Sequence, residues 1–433
     1  MTPAELSVVF FLQLFVIIAV SRLVGWLAKK YLGQPQVVGE MIAGVLLGPS
    51  LFGLLAPDLQ HMLFPKDSKS VLYVGAQMGV GLYMFLVGLG FQADHFKSNA
   101  KSAAAVSLSG MAAPFLVAVA IAPWLLNLGL FGKGIDTFQA TLFMGAAISI
   151  TAFPMLARII HERGLSKTPL GTLSLSAGAI DDAGAWTVLA IVLATFGGGP
   201  IVAIKAIVGG LIFVTFMITL GPKLLAPLGR WAEREGKVTP NMLGIVVMLF
   251  ALCAWAMDAV GIHAVFGGFI LGTVLPRGVL SREVKKQLEP FAVVLLLPMF
   301  FTFSGLHTQL TMVNSVSLVA VTLVILAGSI LAKGGACWAA ARLTGQDNAT
   351  ACGIGALMNA RGLMELIIIN IGLQKGIIGP ALFSMLVLMA IITTLMASPL
   401  FEILYGKAAR ARGELGALDE SQDEDGELAR LPA

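Results

Sequence analysis

The sequence predicts an all-α polytopic membrane protein, because of its composition and its repeated long apolar runs. Of its 433 residues, 57% are hydrophobic and only 12% are charged, whereas about a quarter of the residues in an average soluble domain are charged. The mean hydropathy is +0.89. Apolar runs long enough to span a bilayer as a helix, about 20 residues each, recur along the whole chain. The alternating strands of about 10 residues that are typical of a membrane β-barrel do not occur.

Thirteen hydrophobic segments are predicted to be transmembrane helices, and several depart from the ideal length, so tilted and broken helices are expected. The segments are 6–28, 36–53, 71–91, 102–127, 138–161, 170–196, 201–228, 240–259, 262–276, 287–306, 312–342, 348–373 and 378–405. In the first segment the basic residues Arg22, Lys29 and Lys30 follow the apolar run. This order indicates an uncleaved helix rather than a cleaved signal peptide.

The distribution of lysine and arginine predicts the orientation in the membrane. With the N-terminus outside, 21 basic residues fall on the cytoplasmic side and 5 outside, and the remaining two, Lys333 and Arg361, lie within the membrane. Cytoplasmic loops are enriched in basic residues. We therefore expect thirteen helices in the cell (inner) membrane, with the N-terminus outside and the C-terminus in the cytoplasm.

Thirteen helices divide naturally into two inverted repeats. Residues 1–405 are predicted to form the transmembrane domain, with repeats at about 6–196 and 240–405 around a linker helix at about 201–228. Inverted repeats are common in secondary transporters. The short charged tail, 406–433, is basic and then acidic, and we expect it to be disordered.

Two adjacent acids are the main functional candidates. Asp181 and Asp182 lie in the apolar stretch SLSAGAIDDAGAWTVLAIV, where ionised groups are costly. Neighbouring helical residues point about 100° apart, so one carboxylate can face a cavity and the other a neighbouring helix. Such a pair can hold either a proton or a monovalent cation, which is the minimal chemistry of an antiporter. The alternative is a structural pair satisfied by caps or by a salt bridge.

Four other charged residues lie within apolar segments. Lys333 is either a counter-ion to Asp181 or a residue that extends toward the cytoplasmic interface. Arg361 and Glu365 are spaced i,i+4, which favours a structural ion pair, although Arg361 can also balance carbonyl dipoles at a helix break. Glu40 is interpreted as a structural or gating carboxylate.

A proline predicts an interrupted helix near the acids. Thr151 and Pro154 fall in the middle of the fifth segment, where proline frees backbone carbonyls that can coordinate a dehydrated cation together with the Thr151 hydroxyl. The matching segment of the second repeat contains Asn359, Gly362 and Asn370. Interruptions at matching repeat positions mark the binding site of many transporters.

The sequence predicts no cofactor, no nucleic-acid partner, no metal beyond the transported ion and no enzymatic activity. No Walker loop, dinucleotide fingerprint or nucleophile elbow is present, which argues against ATP-driven transport. The cysteines and histidines lack metal-ligand spacing; they are Cys253, Cys337, Cys352, His61, His95, His161, His263 and His307. Two alternatives to an antiporter remain, a channel-like K⁺ efflux pathway and a non-transporting membrane sensor.

Four stretches resemble the second group of the monovalent cation:proton antiporter family, which includes bacterial Na⁺/H⁺ antiporters and the membrane part of glutathione-gated K⁺ efflux proteins. They are GQPQVVGEMIAGVLLGPSLFG at 33–53, SITAFPMLARIIHERGL at 149–165, AGAIDDAGAW at 177–186 and MNARGLMELIIINIG at 358–372. The resemblance covers roughly residues 5–405.

The resemblance implies a homodimer with a core domain, broken crossed helices and a dimerisation domain, which exchanges Na⁺ or K⁺ for protons by an elevator-like movement. It implies that Asp182 is the main cation and proton ligand, that Asp181 pairs with a lysine that Lys333 matches, and that Thr151 lies at the broken-helix position near the ion. The Asp-Asp pair with a lysine is similar to electrogenic members, which move two protons per cation. The chain lacks the nucleotide-binding domain of the gated K⁺ systems, so such gating is not expected.

Overall fold

The computed structural model is built almost entirely of α-helices. It describes residues 1–32, 34, 36–90, 93–165, 168–193, 195, 199–262, 264–308 and 313–414. His263, the predicted tail beyond residue 414 and the side chain of Pro154 lie outside this description. The described residues contain no β-strand, only an isolated bridge between Phe131 and Ile378. The predicted all-α class is confirmed.

The helices fall into two compact units, and the first comprises Met1–Gln92 and Trp186–Met312. Its described helices are α1 (Pro3–Leu32), α2 (Gln36–Leu47), α3 (Phe52–Leu55), α4 (Pro57–Leu63), α5 (Ser68–Gly90), α10 (Gly199–Thr219), α11 (Gly221–Glu235), α12 (Pro240–Val260), α13 (Ala264–Val274), α14 (Val279–Phe291) and α15 (Leu297–Gly305). A π-helical turn, Ala292–Leu296, joins α14 to α15.

The second unit comprises Ala93–Ala185 and Val313–Ala433. Its described helices are α6 (Ala93–Asn127), α7 (Thr137–Ser149), α8 (Phe153–Glu162), α9 (Pro169–Leu193, whose last turns belong to the first unit), α16 (Val316–Leu343), α17 (Asn348–Leu357), α18 (Leu363–Gln374), α19 (Pro380–Phe401) and α20 (Lys407–Ala411). Each unit therefore draws helices from both halves of the chain. The inverted repeats themselves stay a prediction.

Eight helices of the described chain are long and apolar enough to cross a bilayer, or nine if a bent pair counts as one span. The bent pair joins α10 to α11 at an angle of 45° and covers the stretch predicted to be a linker helix, about 201–228. Two further predicted spans are each divided into shorter helices, α7 with α8 and α17 with α18. The multi-pass membrane class is confirmed, and the count of thirteen stays a prediction.

Within each unit, loops assigned to the same side of the membrane meet. In the second unit, Gly132 N–H donates to Ile377 O at 2.9 Å, which joins two loops expected outside. In the first unit, the Ser50 hydroxyl donates to Thr308 O at 2.6 Å. This hydrogen bond joins the chain just after α2 to the chain just after α15. Which side of the membrane these loops face stays a prediction.

Glycines allow α2 and α15 to approach each other within the first unit. A Cβ on Gly48 would collide with the Gly305 carbonyl, and a Cβ on Gly44 would collide with the Phe301 backbone. Membrane helices pack closely through such small residues, since lipid supplies no hydrophobic force between them. The contact holds α2, which contains Glu40, against α15.

Candidate functional site

Helix α9 contains both candidate acids, and both are buried. Asp181 is 0% exposed and Asp182 is 1% exposed. The helix around them is apolar, with small residues such as Ala177, which is also fully buried. Burial in a low-dielectric environment makes an ionised carboxylate costly unless it is paired and hydrogen-bonded. The partners of these acids therefore determine what the site can do.

Asp181 is held by three other segments of the same unit. Lys333 Nζ donates to its Oδ2 across 2.9 Å, and the Thr151 backbone N–H donates to the same oxygen across 2.9 Å. The Ser107 hydroxyl faces Oδ1 at 3.4 Å. The three donors come from α6, from the chain between α7 and α8, and from α16. Asp181 is thus organised as one half of a buried ion pair.

Lys333 has acceptors for all three of its ammonium protons. Besides Asp181, Nζ contacts the Ser149 carbonyl, and it lies 3.4 Å from the Gly110 carbonyl. The side chain is fully buried. This burial argues against the alternative in which Lys333 extends to the cytoplasmic interface, and the contact with Asp181 supplies the geometry that the counter-ion prediction requires. The counter-ion role stays a prediction.

The first break in the helical structure separates α7 from α8 at residues 150–152. The chain leaves α7 with Ile150 in an extended conformation, at φ −80° and ψ 133°. Helix α8 then begins at Phe153, so Pro154 is its second residue. The break lies in the middle of the fifth predicted segment, 138–161, and Pro154 lies just after it. A role of Pro154 at the ion site stays a prediction. Proline suits the first turn of a helix, where its missing N–H is not needed, and here it marks where the second half begins.

The second break, residues 358–362, interlocks with the first. The Thr151 hydroxyl donates to the Met358 carbonyl at 2.8 Å, and the Ala152 N–H donates to the Ala360 carbonyl at 3.0 Å. Backbone groups released by one interrupted helix are thus satisfied by the other. Non-helical backbone at membrane depth requires such partners, and the predicted pair of broken, crossing helices is confirmed.

Of the residues expected to interrupt the second helix, two lie in the break and one does not. Asn359 and Gly362 belong to 358–362, whereas Asn370 lies inside α18, so the prediction for Asn370 is wrong. Asn370 Nδ2 donates to Leu366 O, four residues earlier, at 2.7 Å. Its polar side chain is accommodated by its own helix, which is why it does not break it.

Arg361 lies in the second break and contacts the end of α7. Its Nη2 donates to Ile148 O at 2.6 Å, and its Nη1 lies 3.3 Å from Ala147 O. Glu365 Oε2 is 3.6 Å from Nη1. The predicted i,i+4 pair is therefore present, although Arg361 precedes α18 instead of lying on it.

Two buried cations converge on the C-terminal end of α7. Lys333 contacts the Ser149 carbonyl, and Arg361 contacts the carbonyls of Ala147 and Ile148. The last carbonyls of a helix are unpaired and carry partial negative charge. A helix that ends inside the membrane needs positive charge or hydrogen-bond donors at its last carbonyls. Lys333 supplies them from α16, and Arg361 supplies them from the second break.

Glu40 belongs to the first unit and not to this cluster. It is fully buried. Gln36 Nε2 donates to its Oε1 at 3.1 Å, and Arg22 Nη1 is 4.0 Å away. This placement is consistent with a structural carboxylate.

Sequence reasoning missed the small and backbone groups of the site. Ser107 contacts Asp181, and the Thr394 hydroxyl accepts a hydrogen bond from the Arg361 N–H at 3.2 Å. The carbonyls of Gly110 and Ser149 also escaped detection, because every residue has a carbonyl. The described residues include no cluster of three or more His, Cys, Asp or Glu suited to a metal ion.

Comparison with known protein families gives a match over most of the chain. Residues 16–405 match the family model described as the transmembrane sodium/hydrogen exchanger. The chain belongs to the sodium/hydrogen exchanger family. The predicted relationship, the transmembrane character and the assignment to cation antiport are confirmed, and the channel and sensor alternatives are not favoured.

Relatives of this exchanger family include proteins from bacteria, plants and archaea. The chain is 39% identical over 400 residues to the Na⁺/H⁺ antiporter NhaS4 of Synechocystis, covering 91% of this chain and 96% of that protein. It is 34% identical to cation/H⁺ antiporter 19 of Arabidopsis thaliana, covering 97% of this chain but 52% of that protein. The sodium proton antiporter MjNhaP1 from Methanocaldococcus jannaschii shares the fold, with a TM-score of 0.62 at 16% identity over 96% of this chain and 98% of that one.

Proposed function

We propose that the protein exchanges Na⁺ or K⁺ for protons, with Asp182 as the main cation and proton ligand and Asp181 and Lys333 as its supporting ion pair. The observation that supports this assignment is the 2.9 Å contact between Lys333 and Asp181, next to a second buried acid and two interlocked helix breaks. The oxygens of Thr151 and of the broken backbone are hard ligands of the kind that alkali ions prefer.

Charge balance explains why a proton and a cation compete. With Asp181 and Asp182 ionised and Lys333 protonated, the three side chains sum to minus one. Either one proton on Asp182 or one bound monovalent cation restores neutrality. A bare charge at the membrane centre costs at least about 2.5–3.5 kcal/mol, so only a loaded site crosses the apolar barrier readily.

The lysine determines the stoichiometry in this scheme. If Lys333 keeps its proton, one cation exchanges for one proton and no net charge moves. If cation binding releases the Lys333 proton as well, two protons exchange for one cation and the transport is electrogenic. The three side chains with the bound cation then sum to minus one, against minus two for the empty site, so the loaded site still crosses the apolar barrier at the lower cost. The resemblance to exchangers with an Asp-Asp pair and a lysine favours the second scheme.

The proposal also includes an elevator-like movement of the protein, as a homodimer in the inner membrane. We propose that the N-terminus lies outside and the C-terminus in the cytoplasm, because 21 basic residues then fall inside and 5 outside. Protons would load the site from outside, and a cytoplasmic cation would displace them and be carried out.

The test of the proposal is Asp182→Asn in proteoliposomes with an imposed pH gradient, followed with a pH-sensitive dye across Na⁺, K⁺ and Li⁺. The amide neither ionises nor exchanges a proton, so exchange of every ion is expected to stop while the protein stays folded. The matched control is Asp136→Asn, at the exposed start of α7, where Asp136 accepts the Gln139 N–H at 2.7 Å. Asparagine caps a helix as well as aspartate does, so this control should transport normally. Full exchange by Asp182→Asn would remove the basis of the assignment.

A further inference from the structure

Glu365 is a buried carboxyl group that the exchange scheme does not use. It is 0% exposed, in the first turn of α18. Neither of its oxygens accepts a hydrogen bond from any described residue. A buried carboxylate is stable when several donors or a well-formed ion pair replace its hydration. Glu365 lacks the donors, so its ionised form depends mainly on Arg361, which is 3.6 Å away.

Arg361 is directed mainly at other acceptors. Its Nη2 donates to Ile148 O at 2.6 Å and its Nη1 to Ala147 O at 3.3 Å, whereas the nearest oxygen of Glu365 is 3.6 Å from Nη1. A two-point ion pair between guanidinium and carboxylate has shorter contacts, of about 2.7–2.9 Å. The guanidinium thus caps α7 and leaves Glu365 beside it without a close hydrogen bond.

Few other charges act on Glu365. Its helix packs mainly on α7 and α19, and neither of these helices contains an ionisable side chain. Beyond Arg361, the cation that acts on Glu365 is Lys333 of α16, which is committed to Asp181 and to two carbonyls. The surroundings therefore favour a neutral carboxylic acid.

We propose that Glu365 is a second proton-binding site of the protein, separate from Asp181 and Asp182, and that it is protonated while Arg361 caps α7. Loss of this proton creates a carboxylate that competes with Ala147 O and Ile148 O for the guanidinium. The end of α7 then loses part of its compensation, and the adjoining break at 150–152, which contributes the Thr151 N–H to Asp181, is loosened. Glu365 acts in this way as a positioning residue that couples pH to the exchange site.

Proton binding by Glu365 is tested first without transport, by infrared difference spectroscopy of the full-length protein between neutral and alkaline pH. The measurement is made in an Asp182→Asn background, so that its outcome does not depend on the role of Asp182. A protonated carboxyl band that disappears at alkaline pH is expected. Adding Glu365→Gln should remove that band, whereas adding Glu289→Gln, at a half-exposed residue near Lys285, should not. A difference spectrum unchanged by Glu365→Gln would show that Glu365 neither gains nor loses a proton between the two pH values, and would overturn the proposal.

The coupling is tested second, and this part rests on the proposed function. As the pH rises, loss of proton competition at Asp182 changes the KM for the cation in both proteins. Glutamine reproduces the neutral acid, so Glu365→Gln should lack only the further change in KM that ionisation of Glu365 causes. The wild type should show this further change, with a difference between the two proteins of at least about fivefold, as is typical of coupled sites. Identical pH profiles would reject the positioning role even if the infrared band is found. Loss of exchange in the wild type would instead reject the proposed function.

Discussion

The Thr151 hydroxyl donates a hydrogen bond to the Met358 carbonyl across 2.8 Å, although 207 residues separate the two in the chain. One side chain of the first break thereby closes on the backbone of the second. The Thr151 N–H meanwhile holds Asp181. Thr151 therefore links the interlocked breaks to the acid pair, so a disturbance of either break reaches the acids directly.

Thr151→Val is expected to destabilise the protein by about 1–3 kcal/mol, because it leaves the buried Met358 carbonyl without its donor. The hydrogen bond from the Thr151 backbone N–H to Asp181 is kept in this variant. A reduced exchange rate would therefore be due to loss of the hydroxyl alone. Thermal unfolding in detergent and dye-based exchange would measure the two effects. Thr219→Val is the control, since its exposed hydroxyl contacts only Thr215 O of its own helix. Thr151→Ser should retain most of the stability, and a Thr151→Val protein as stable as the control would contradict the linkage.

Lys333→Ala is expected to destabilise the protein by about 3–5 kcal/mol, because removal of one partner leaves a buried charge uncompensated. Asp181→Asn combined with Lys333→Ala should recover part of that loss, since the unpaired carboxylate is then gone. Thermal unfolding of the single and double variants would measure the coupling, and a voltage-sensitive dye would report any change in charge movement. Lys285→Ala removes an exposed pair with Glu289 and should change stability by less than about 1 kcal/mol. Unchanged stability and unchanged exchange in Lys333→Ala would leave the buried pair without a role.

Asp347 provides a pH prediction outside the membrane-spanning helices. It caps α17, and the hydrogen bond from the Thr350 hydroxyl, aided by one from Arg412, lowers the pKa of Asp347 to about 2. A carboxylate with a lowered pKa in the folded protein stabilises it fully above the ordinary pKa, and this stabilisation disappears as the pH falls toward about 2.

The variants Asp347→Ala and Asp347→Asn separate the cap from the ion pair. Asp347→Ala should cost about 1 kcal/mol at neutral pH through loss of the cap, whereas Asp347→Asn keeps a cap and loses only an exposed pair, worth at most about 1 kcal/mol. Both differences from the wild type should shrink below about pH 4, as measured by thermal unfolding. A stability difference between either variant and the wild type that changes between about pH 6 and pH 8 would contradict the role given to Asp347, since Asp347 does not titrate there.

Several features of the site were predictable because they depend on residue type within an apolar background. Asp181, Asp182 and Lys333 stand out, since ionisable residues are rare within membrane helices. Proline and glycine likewise signalled the two breaks. The sequence did not show that Pro154 lies in the first turn of a new helix, because a proline in an apolar run is equally compatible with a kink within one helix and with the first turn of another.

Other features had no counterpart in the sequence. Lys333 and Asp181 are 152 residues apart, and no local pattern relates them. At the breaks, Arg361 donates to the carbonyls of Ala147 and Ile148, and the Thr151 hydroxyl donates to the carbonyl of Met358. Any residue could supply a carbonyl, so the sequence does not mark these acceptors. The assignment of Glu40 to a different unit from the acid pair also had no sequence signal.

The sequence alone determined the membrane class, the helical character and the residues whose burial needs an explanation, because hydropathy and residue type act locally along the chain. Only the tertiary structure decided which cation faces which acid, and that Arg361 caps α7 while Glu365 lies beside it without a hydrogen bond. The physical reason is that buried charges are stabilised by whichever groups the packed helices bring within about 3 Å, and those groups come from distant segments and from the backbone.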